Sequence, residues 1–296
     1  MTLHERLAEA RAQLNAVGIP NPEATIDVDL FARAILGWDR ARLIVEKSRE
    51  VPAGLEPRFS EWIDRCARHE PASYILGVRE FWGLDFRVTP AVLIPRPETE
   101  MIVEEVLAIV GRGRSDVGRV PLDPPPASLR IADIGTGSGC IGIAIAHSAP
   151  TVRVVATDIS AAAVAVAREN GQRNGVAGRV DFVATSYLDG IDGTFDIIAT
   201  NPPYVRVLDR GGIGANVRHE PEVALFGGDD GMLHIEGVLD VASERLVPHG
   251  WLVMEIGLGQ EDPVMERVAA RPGLVHRNIR YDLQGIARTF VIQRQA

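Results

Sequence analysis

The spacing of apolar residues changes about a quarter of the way along the chain. In LHERLAEARAQLNAVG, Leu3, Leu7, Ala10 and Leu14 recur at helical spacing and share one face. Two later segments, NPEATIDVDLFARAILG and EPRFSEWIDRCARH, have the same period. The pattern predicts a bundle of three helices that forms an N-terminal domain over residues 1–76.

A period of two follows the helical part. The segment EFWGLDFRVTPAVLIP alternates apolar and polar residues and contains glycine and proline, which interrupt strands. We therefore expect a β-hairpin that links two domains over residues 77–97.

Residues 98–296 have the pattern of an α/β domain. A helix follows residue 98, and from Arg130 onward apolar strands alternate with helices. This alternation predicts a mostly parallel, doubly wound sheet. The last two strands, LVHRNIRYD and ARTFVIQ, are close enough in sequence to form a hairpin, which adds an antiparallel strand. Residues 111–129 are rich in Gly, Pro and Arg and are predicted to form a surface loop.

Composition narrows the class of protein. The chain has 296 residues, of which 46% are hydrophobic, and a formal net charge of −9. An acidic chain is a poor match for a phosphate backbone, so we expect no direct nucleic-acid binding. Cys66 and Cys140 are far apart and suggest neither a disulfide nor a metal site, so no metal is expected and each thiol is predicted to be buried. The sequence has no signal peptide and no apolar run that could span a membrane, which favours the cytoplasm.

A glycine-rich turn follows the first strand of the α/β domain. In IADIGTGSGCIGIAIA, the residues Gly135, Gly137 and Gly139 lie between a strand and a helix, where glycine allows a sharp turn close to a ligand. Asp158 ends the next strand, the position from which an acid binds ribose hydroxyls. These features together predict a cofactor that contains a nucleoside.

An acid beside the turn distinguishes between cofactors. Asp133 stands two residues before the first glycine, and its charge would repel the diphosphate of NAD. The same charge would attract a cationic amino-acid group. The pattern therefore favours S-adenosylmethionine over NAD.

The segment FDIIATNPPYV ends a strand on Asn201, Pro202, Pro203 and Tyr204. Proline has no N–H, so this turn presents carbonyl oxygens and the Asn side chain as acceptors, beside an aromatic ring. Such a site suits an NH2 group on a planar amide or base. In the usual strand order this turn lies next to the glycine-rich turn, so the acceptors are expected to face the methyl donor.

The motifs NPPY and DIGTGSG resemble those of class I S-adenosylmethionine-dependent methyltransferases, which have a Rossmann-like fold and modify amide or exocyclic nitrogens. Three further segments, EPASYILGVREFWGLDFRVTPAVLIPRPETE, VRHEPEVALFGGDDGM and DLQGIAR, are similar to those of the protein-(glutamine-N5) methyltransferases that act on peptide chain release factors. The resemblance covers nearly the whole chain. It implies methylation of the glutamine in the Gly-Gly-Gln loop of a release factor, which the helical domain would help to dock.

The resemblance also implies a role for individual residues. Asn201 and the carbonyl of Pro202 would accept the two N–H bonds of the target amide, and Tyr204 would pack on its plane. The residues expected to contact the substrate are Asn201, Pro202, Pro203, Tyr204, Arg96 and Glu98. The residues expected to contact the cofactor are Asp133, Gly135, Thr136, Gly137, Ser138, Gly139, Asp158, Tyr187 and Asn201. Ser186 stands where the family usually has an acid, so this position has no carboxylate for the usual contact to the adenine amine.

Other functions are compatible with the same motifs. A glutamine of a ribosomal protein could occupy the same site. Adenine-N6 methyltransferases of DNA share the NPPY motif, although the acidic charge argues against DNA as the substrate. The chain could also bind S-adenosylmethionine without catalysis, which intact glycine and NPPY motifs argue against.

Overall fold

The computed structural model describes residues 1–112 and 128–296, so most of the predicted loop over 111–129 lies outside the described residues. The described residues form two compact units. One contains Met1–Val78 and Gly214–His219, and the other contains Arg79–Ile213 and Glu220–Ala296. No helix in the described ranges is long and apolar enough to cross a membrane.

The first unit is helical, but the prediction of three helices was wrong. Its described residues form five: α1 (Leu3–Ala16), α2 (Asn21–Leu36), α3 (Arg40–Glu46), α4 (Arg58–Cys66) and α5 (Ala72–Leu76). The two that were missed have only 7 and 5 residues. Helices of this length make at most two turns and do not repeat an apolar position often enough to show a period.

The first helix illustrates how the sequence builds this unit. Thr2 and Glu5 form a capping box in which each side chain accepts a hydrogen bond from the other residue's main-chain N–H. The apolar face predicted for this helix, which begins with Leu3 and Leu7, is completely buried in the core of the unit.

The second unit contains the α/β domain, in which strands and helices alternate. It begins with a hairpin of β1 (Val78–Phe81) and β2 (Leu84–Arg87), as predicted, and a short 3₁₀ helix (Pro97–Thr99). The other α-helices and strands are α6 (Glu100–Arg112), β3 (Leu129–Ile134), α7 (Cys140–Ser148), β4 (Val152–Asp158), α8 (Ala161–Arg173), β5 (Val180–Ala184), β6 (Phe195–Thr200), α9 (Leu233–Arg245), β7 (Leu246–Glu255), α10 (Glu261–Ala269), β8 (Leu274–Tyr281) and β9 (Ala287–Arg294).

The main sheet has seven strands in the order β5-β4-β3-β6-β7-β9-β8. The strands from β5 to β7 are parallel, and β9 runs antiparallel to both β7 and β8. Successive residues of β3 contribute to different apolar clusters, Ile131 to one and Ala132 to the other. The sheet therefore has a core on each face, and the predicted fold class is confirmed.

The order of strands determines where the site forms. The central neighbours are β3 and β6, which pair in parallel so that Ile134 stands opposite Thr200. These are the last residues of the two strands. The glycine-rich turn and the NPPY turn therefore start side by side at the carboxyl edge of the sheet, where ligands bind in doubly wound folds.

Both cysteines are free and buried, as predicted. Burial raises the pKa of each thiol to about 12, so neither is a reactive thiolate at neutral pH.

Candidate active site

The glycine-rich turn between β3 and α7 requires glycine for its backbone. Gly135, Gly137 and Gly139 have φ angles of 70°, 56° and 86°, a region that other residues rarely adopt. A side chain at Gly139 would also meet the Cδ1 atom of Ile143 at 2.6 Å, whereas positions 135 and 137 face open space. The third glycine thus serves close packing, and the first two leave room for a ligand.

Asp133 lies under this turn and is completely buried. Its Oδ2 atom accepts hydrogen bonds from Thr136 Oγ1 (2.5 Å) and from the main-chain N–H of Gly142 (2.9 Å). Its Oδ1 atom has no hydrogen-bond partner among the described residues. Burial raises the pKa of this carboxyl group to about 6. Asp133 therefore shapes the turn, and its predicted attraction for a cationic ligand stays a prediction.

Asp158 ends β4 and connects two loops of the site. One carboxylate oxygen accepts from the main-chain N–H of Gly137 (2.9 Å), and the other accepts from that of Ser160 (2.8 Å). Burial raises its pKa. Nearby, the hydroxyl of buried Ser138 has no hydrogen-bond partner among the described residues.

These features fit S-adenosylmethionine. The turn has open space over two glycines, an acid at each side and two buried polar atoms, Asp133 Oδ1 and Ser138 Oγ, without partners in the described chain. A ligand that carries an ammonium group and ribose hydroxyls supplies donors of the kind that carboxylates bind.

Tyr187 is held by helix α9. Its φ angle is 44°, its hydroxyl lies 3.2 Å from His234 Nδ1, and a side chain at Gly237 would collide with that hydroxyl. The tyrosine is half-buried. Ser186, before it, is partly exposed and accepts a main-chain hydrogen bond from Asp189 through its carbonyl. The predicted contact between Tyr187 and an adenine stays a prediction.

A chain of hydrogen bonds connects Asn201 to Tyr204, and we call it the polar chain. Asn201 Nδ2 donates to Thr99 Oγ1 (3.1 Å), and Thr99 Oγ1 donates to Glu255 Oε2 (2.7 Å). The hydroxyl of Tyr204 donates to the other oxygen of Glu255 (3.2 Å). Thr99 and Glu255 are each only 2% exposed. Three segments that are far apart in sequence thus meet behind the NPPY turn.

Electrostatics at Glu255 follow from its burial. Burial raises the pKa of this carboxyl group to about 7, and Glu98 acts in the same direction. The hydrogen bonds from Thr99 and Tyr204 and the charge of Arg288 oppose that shift. Burial and the adjacent carboxylate also raise the pKa of the Tyr204 phenol, which therefore stays a hydrogen-bond donor at neutral pH.

The carbonyl groups of the NPPY turn differ in their surroundings. The carbonyl of Tyr204 accepts from Gln260 Nε2 (3.2 Å), and a side chain at Gly227 would lie 2.5 Å from that of Pro203. The described residues donate no hydrogen bond to the carbonyl of Pro202. The ring of Tyr204 lies against Gly257, where a side chain would meet its Cδ2 atom at 2.8 Å.

Glu98 lies in the 3₁₀ helix that carries Thr99, and Arg96 directly precedes that helix. Arg96 Nη2 donates to Glu220 Oε1 (2.5 Å), and the other oxygen of Glu220 accepts from the main-chain N–H of Ile94 (3.1 Å). The Glu220 side chain is 2% exposed. Glu98 is partly exposed and acts on the polar chain through its charge.

Sequence reasoning missed Thr99 and Glu220 as members of the site. Both are buried polar residues that bind a residue the sequence had singled out, Asn201 and Arg96 respectively. Each lies inside a segment that carried the family resemblance, LIPRPETE or VRHEPEVALF, and that was the available signal.

Comparison with known proteins decides the family. The family model of the PrmC N-terminal domain matches residues 5–77, and the family model of the Methyltransferase small domain matches residues 120–221. The chain is 39% identical to the release factor glutamine methyltransferase of Moorella thermoacetica, over 100% of this chain and 99% of that protein. It is 37% identical to the one of Koribacter versatilis, over 98% of each chain.

This chain belongs to the release factor glutamine methyltransferase family. It is an S-adenosylmethionine-dependent methyltransferase, as predicted from its turns. A solved structure with the same fold is the catalytic domain of human METTL16, with a TM-score of 0.56 at 16% identity over 78% of this chain and 82% of that one. At this level of identity the likeness extends to the fold alone.

Proposed function

We propose that the protein methylates the side-chain amide nitrogen, N5, of the glutamine in the Gly-Gly-Gln loop of peptide chain release factors. The names of its relatives support the substrate. The observation that carries the site assignment is the orientation of Asn201. Its nitrogen is bound to Thr99, so its oxygen remains available beside the carbonyl of Pro202.

These two oxygens match the two N–H bonds of a primary amide. Asn201 Oδ1 and the Pro202 carbonyl accept one hydrogen bond each, which fixes the plane of the amide. Tyr204 is held by Glu255 and Gly257 and bounds the pocket on its aromatic side. S-adenosylmethionine, when bound, supplies an electrophilic methyl group. The contribution of the protein is to hold the nitrogen in line with it.

The proposed roles of the cofactor contacts follow from their positions. We assign the open space over Gly135 and Gly137 to the amino-acid part of the donor, and we assign Asp158, which borders the same turn, to its ribose. Arg96 and Glu98 lie next to Thr99 in sequence and are assigned to the mouth of the substrate pocket. We also infer a cytoplasmic location, because the proposed substrates act in translation.

A transfer assay with a labelled methyl group tests the substrate. The purified protein is offered a release factor with its loop glutamine, the same factor with Glu at that position, ribosomal proteins and adenine-containing DNA. We expect label on the intact factor and none on the Glu variant. Label on a ribosomal protein or on DNA, with none on the release factor, would overturn the proposal.

A further inference from the structure

The hydroxyl of Thr99 has only one proton to donate. This determines which group donates and which accepts in each hydrogen bond of the polar chain. In its ionised form, Glu255 accepts that proton through Oε2 at 2.7 Å. The oxygen of Thr99 is then left only as an acceptor, so the group that Asn201 presents to it must be its NH2. The Asn201 oxygen must therefore point away from Thr99.

The side-chain oxygen of Asn201 has no competing partner among residues 1–112 and 128–296. No described residue donates a hydrogen bond to its Oδ1 atom. A free asparagine can rotate its amide by half a turn at little cost, and it would then present donors instead of an acceptor. An NH2 group turned toward the target amide would meet the N–H bonds of that amide and could not bind them.

The polar chain is buried, so its hydrogen bonds must offset the cost of removing the Glu255 carboxylate from water. Placing a carboxylate at 2% exposure costs free energy unless its oxygens are bonded, and Glu255 has one hydrogen bond on each oxygen. The two bonds lead to two residues of one functional turn, Tyr204 directly and Asn201 through Thr99.

We propose that Thr99 and Glu255 are positioning residues that orient the Asn201 amide with its oxygen toward the substrate. This inference rests on the proposed function, because it assigns to Asn201 the role of acceptor for the target amide. Neither residue is placed in contact with substrate or cofactor. Both act through Asn201, and Glu255 also acts through Tyr204.

The main test compares two substitutions at Thr99 with a control. Thr99→Val keeps the shape but removes the hydroxyl, and Thr99→Ser keeps the hydroxyl. Thr289→Val is the matched control, since Thr289 is also buried, pairs with Glu255 on the neighbouring strand and has a hydroxyl without a hydrogen-bond partner in the described chain. Each variant is assayed for kcat and KM with release factor and for S-adenosylmethionine affinity by calorimetry.

We expect Thr99→Val to lower kcat by about 10²-fold, the size of effect expected for a misplaced reacting group. Its affinity for S-adenosylmethionine should be unchanged. Thr99→Ser should restore most of the rate, and Thr289→Val should behave like the wild type. Normal kcat in Thr99→Val, or equal loss in Thr99→Ser, would overturn the inference, because bulk rather than the hydroxyl would then matter.

A second variant covers the case in which Thr99→Val does not fold. Glu255→Gln has nearly the same shape, and it removes a charge whose burial opposes folding. Its NH2 group can donate to Thr99, whose proton is then free to turn toward Asn201. We expect a lower kcat with unchanged donor affinity, and a wild-type kcat would contradict the inference.

The orientation can also be measured without turnover, which separates this inference from the proposed function. In protein labelled with ¹⁵N at asparagine, the one Nδ2 proton of Asn201 that is bound to Thr99 should exchange slowly with solvent in the wild type and in Thr99→Ser. Exchange should be fast in Thr99→Val. Fast exchange in the wild type would overturn the inference, whereas failure of the wild type to methylate release factor would overturn only the substrate assignment.

Discussion

The hydroxyl of Thr200 donates a buried hydrogen bond of 2.7 Å to the main-chain carbonyl of Ile134. Each residue is the last of its strand, and the two are paired in register. The bond joins β3 and β6 where one strand leads into the glycine-rich turn and the other into the NPPY turn. It therefore fixes the spacing between the two halves of the site.

Removing this hydroxyl should destabilise the protein. Thr200→Val leaves the Ile134 carbonyl buried without its partner, at an expected cost of about 1–3 kcal/mol in the free energy of unfolding. Thr289→Val, at a buried threonine whose hydroxyl has no described partner, should cost nothing. Urea unfolding of the two variants measures the difference, and equal stabilities would contradict the account.

Asp158 should matter for donor binding. Asp158→Ala removes the acceptor of the Gly137 and Ser160 N–H groups, so the glycine-rich turn loses a restraint. Hydrogen bonds to a charged group contribute about 1.5–3 kcal/mol, so the Kd for S-adenosylmethionine should rise roughly tenfold to a hundredfold. Calorimetry measures this, with Asp181→Ala, an exposed acid on the neighbouring strand β5, as the control. Equal affinity for S-adenosylmethionine in both variants would exclude a role of Asp158 in donor binding.

Glu255 should make stability depend on pH. Its pKa is about 7 in the folded chain against an ordinary value of 4.5, so the folded state holds more protons between these values. Stability from this group therefore falls as pH rises from about 4.5 to about 7, by about 3 kcal/mol in total. Glu255→Gln has no titrating group at this position, so its stability does not fall in this way as pH rises. The difference between wild type and variant in unfolding free energy, measured from pH 4 to pH 8, should grow in favour of the variant.

The activity of the wild type should rise with pH, whereas the stability contributed by Glu255 falls. The acceptor state of Glu255 requires ionisation, and Glu98 and Arg288 are the charged groups that act on it together with the hydrogen bonds from Thr99 and Tyr204. In the wild type, kcat should increase through about pH 7. A wild-type kcat that stays flat from pH 6 to pH 8 would contradict ionised Glu255 as the orienting form.

The Arg96–Glu220 pair should stabilise the segment that carries Thr99. Arg96→Ala leaves the Glu220 carboxylate, 2% exposed, without its charged partner, at an expected cost of about 3–5 kcal/mol. Arg206→Ala breaks an exposed pair with Asp209 and should cost at most about 1 kcal/mol. Thermal unfolding of the two variants gives the comparison, and a small effect of Arg96→Ala would show that the ion pair is dispensable.

The strands and the two turns were predictable because their signals are local. Apolar runs ending at Gly135 or Asn201 indicate strands, and parallel strands bring their carboxyl ends to one edge. The adjacency of these two turns follows from the strand order, which the fold class implies. The positions of these two turns could therefore be predicted from the sequence, whereas the roles of their residues stay predictions.

Other features depended on distant partners. Thr99 and Glu255 are 156 positions apart, and nothing near either residue indicates that they share a hydrogen bond. The left-handed backbone of Tyr187 was not predictable either, since tyrosine rarely adopts it. Asp133 was expected to face a ligand, and its binding to Thr136 and Gly142 depends on the turn folding back over it.

The central claim is that Asn201 holds the target amide, and transfer by Asn201→Ala tests it most directly. Single-turnover transfer to release factor is measured beside calorimetric binding of S-adenosylmethionine, with Asn278→Ala, at an exposed position of β8, as the control. We predict transfer at least about 10²-fold slower, with donor binding largely intact and the control unchanged. Near-normal transfer by Asn201→Ala would contradict the account.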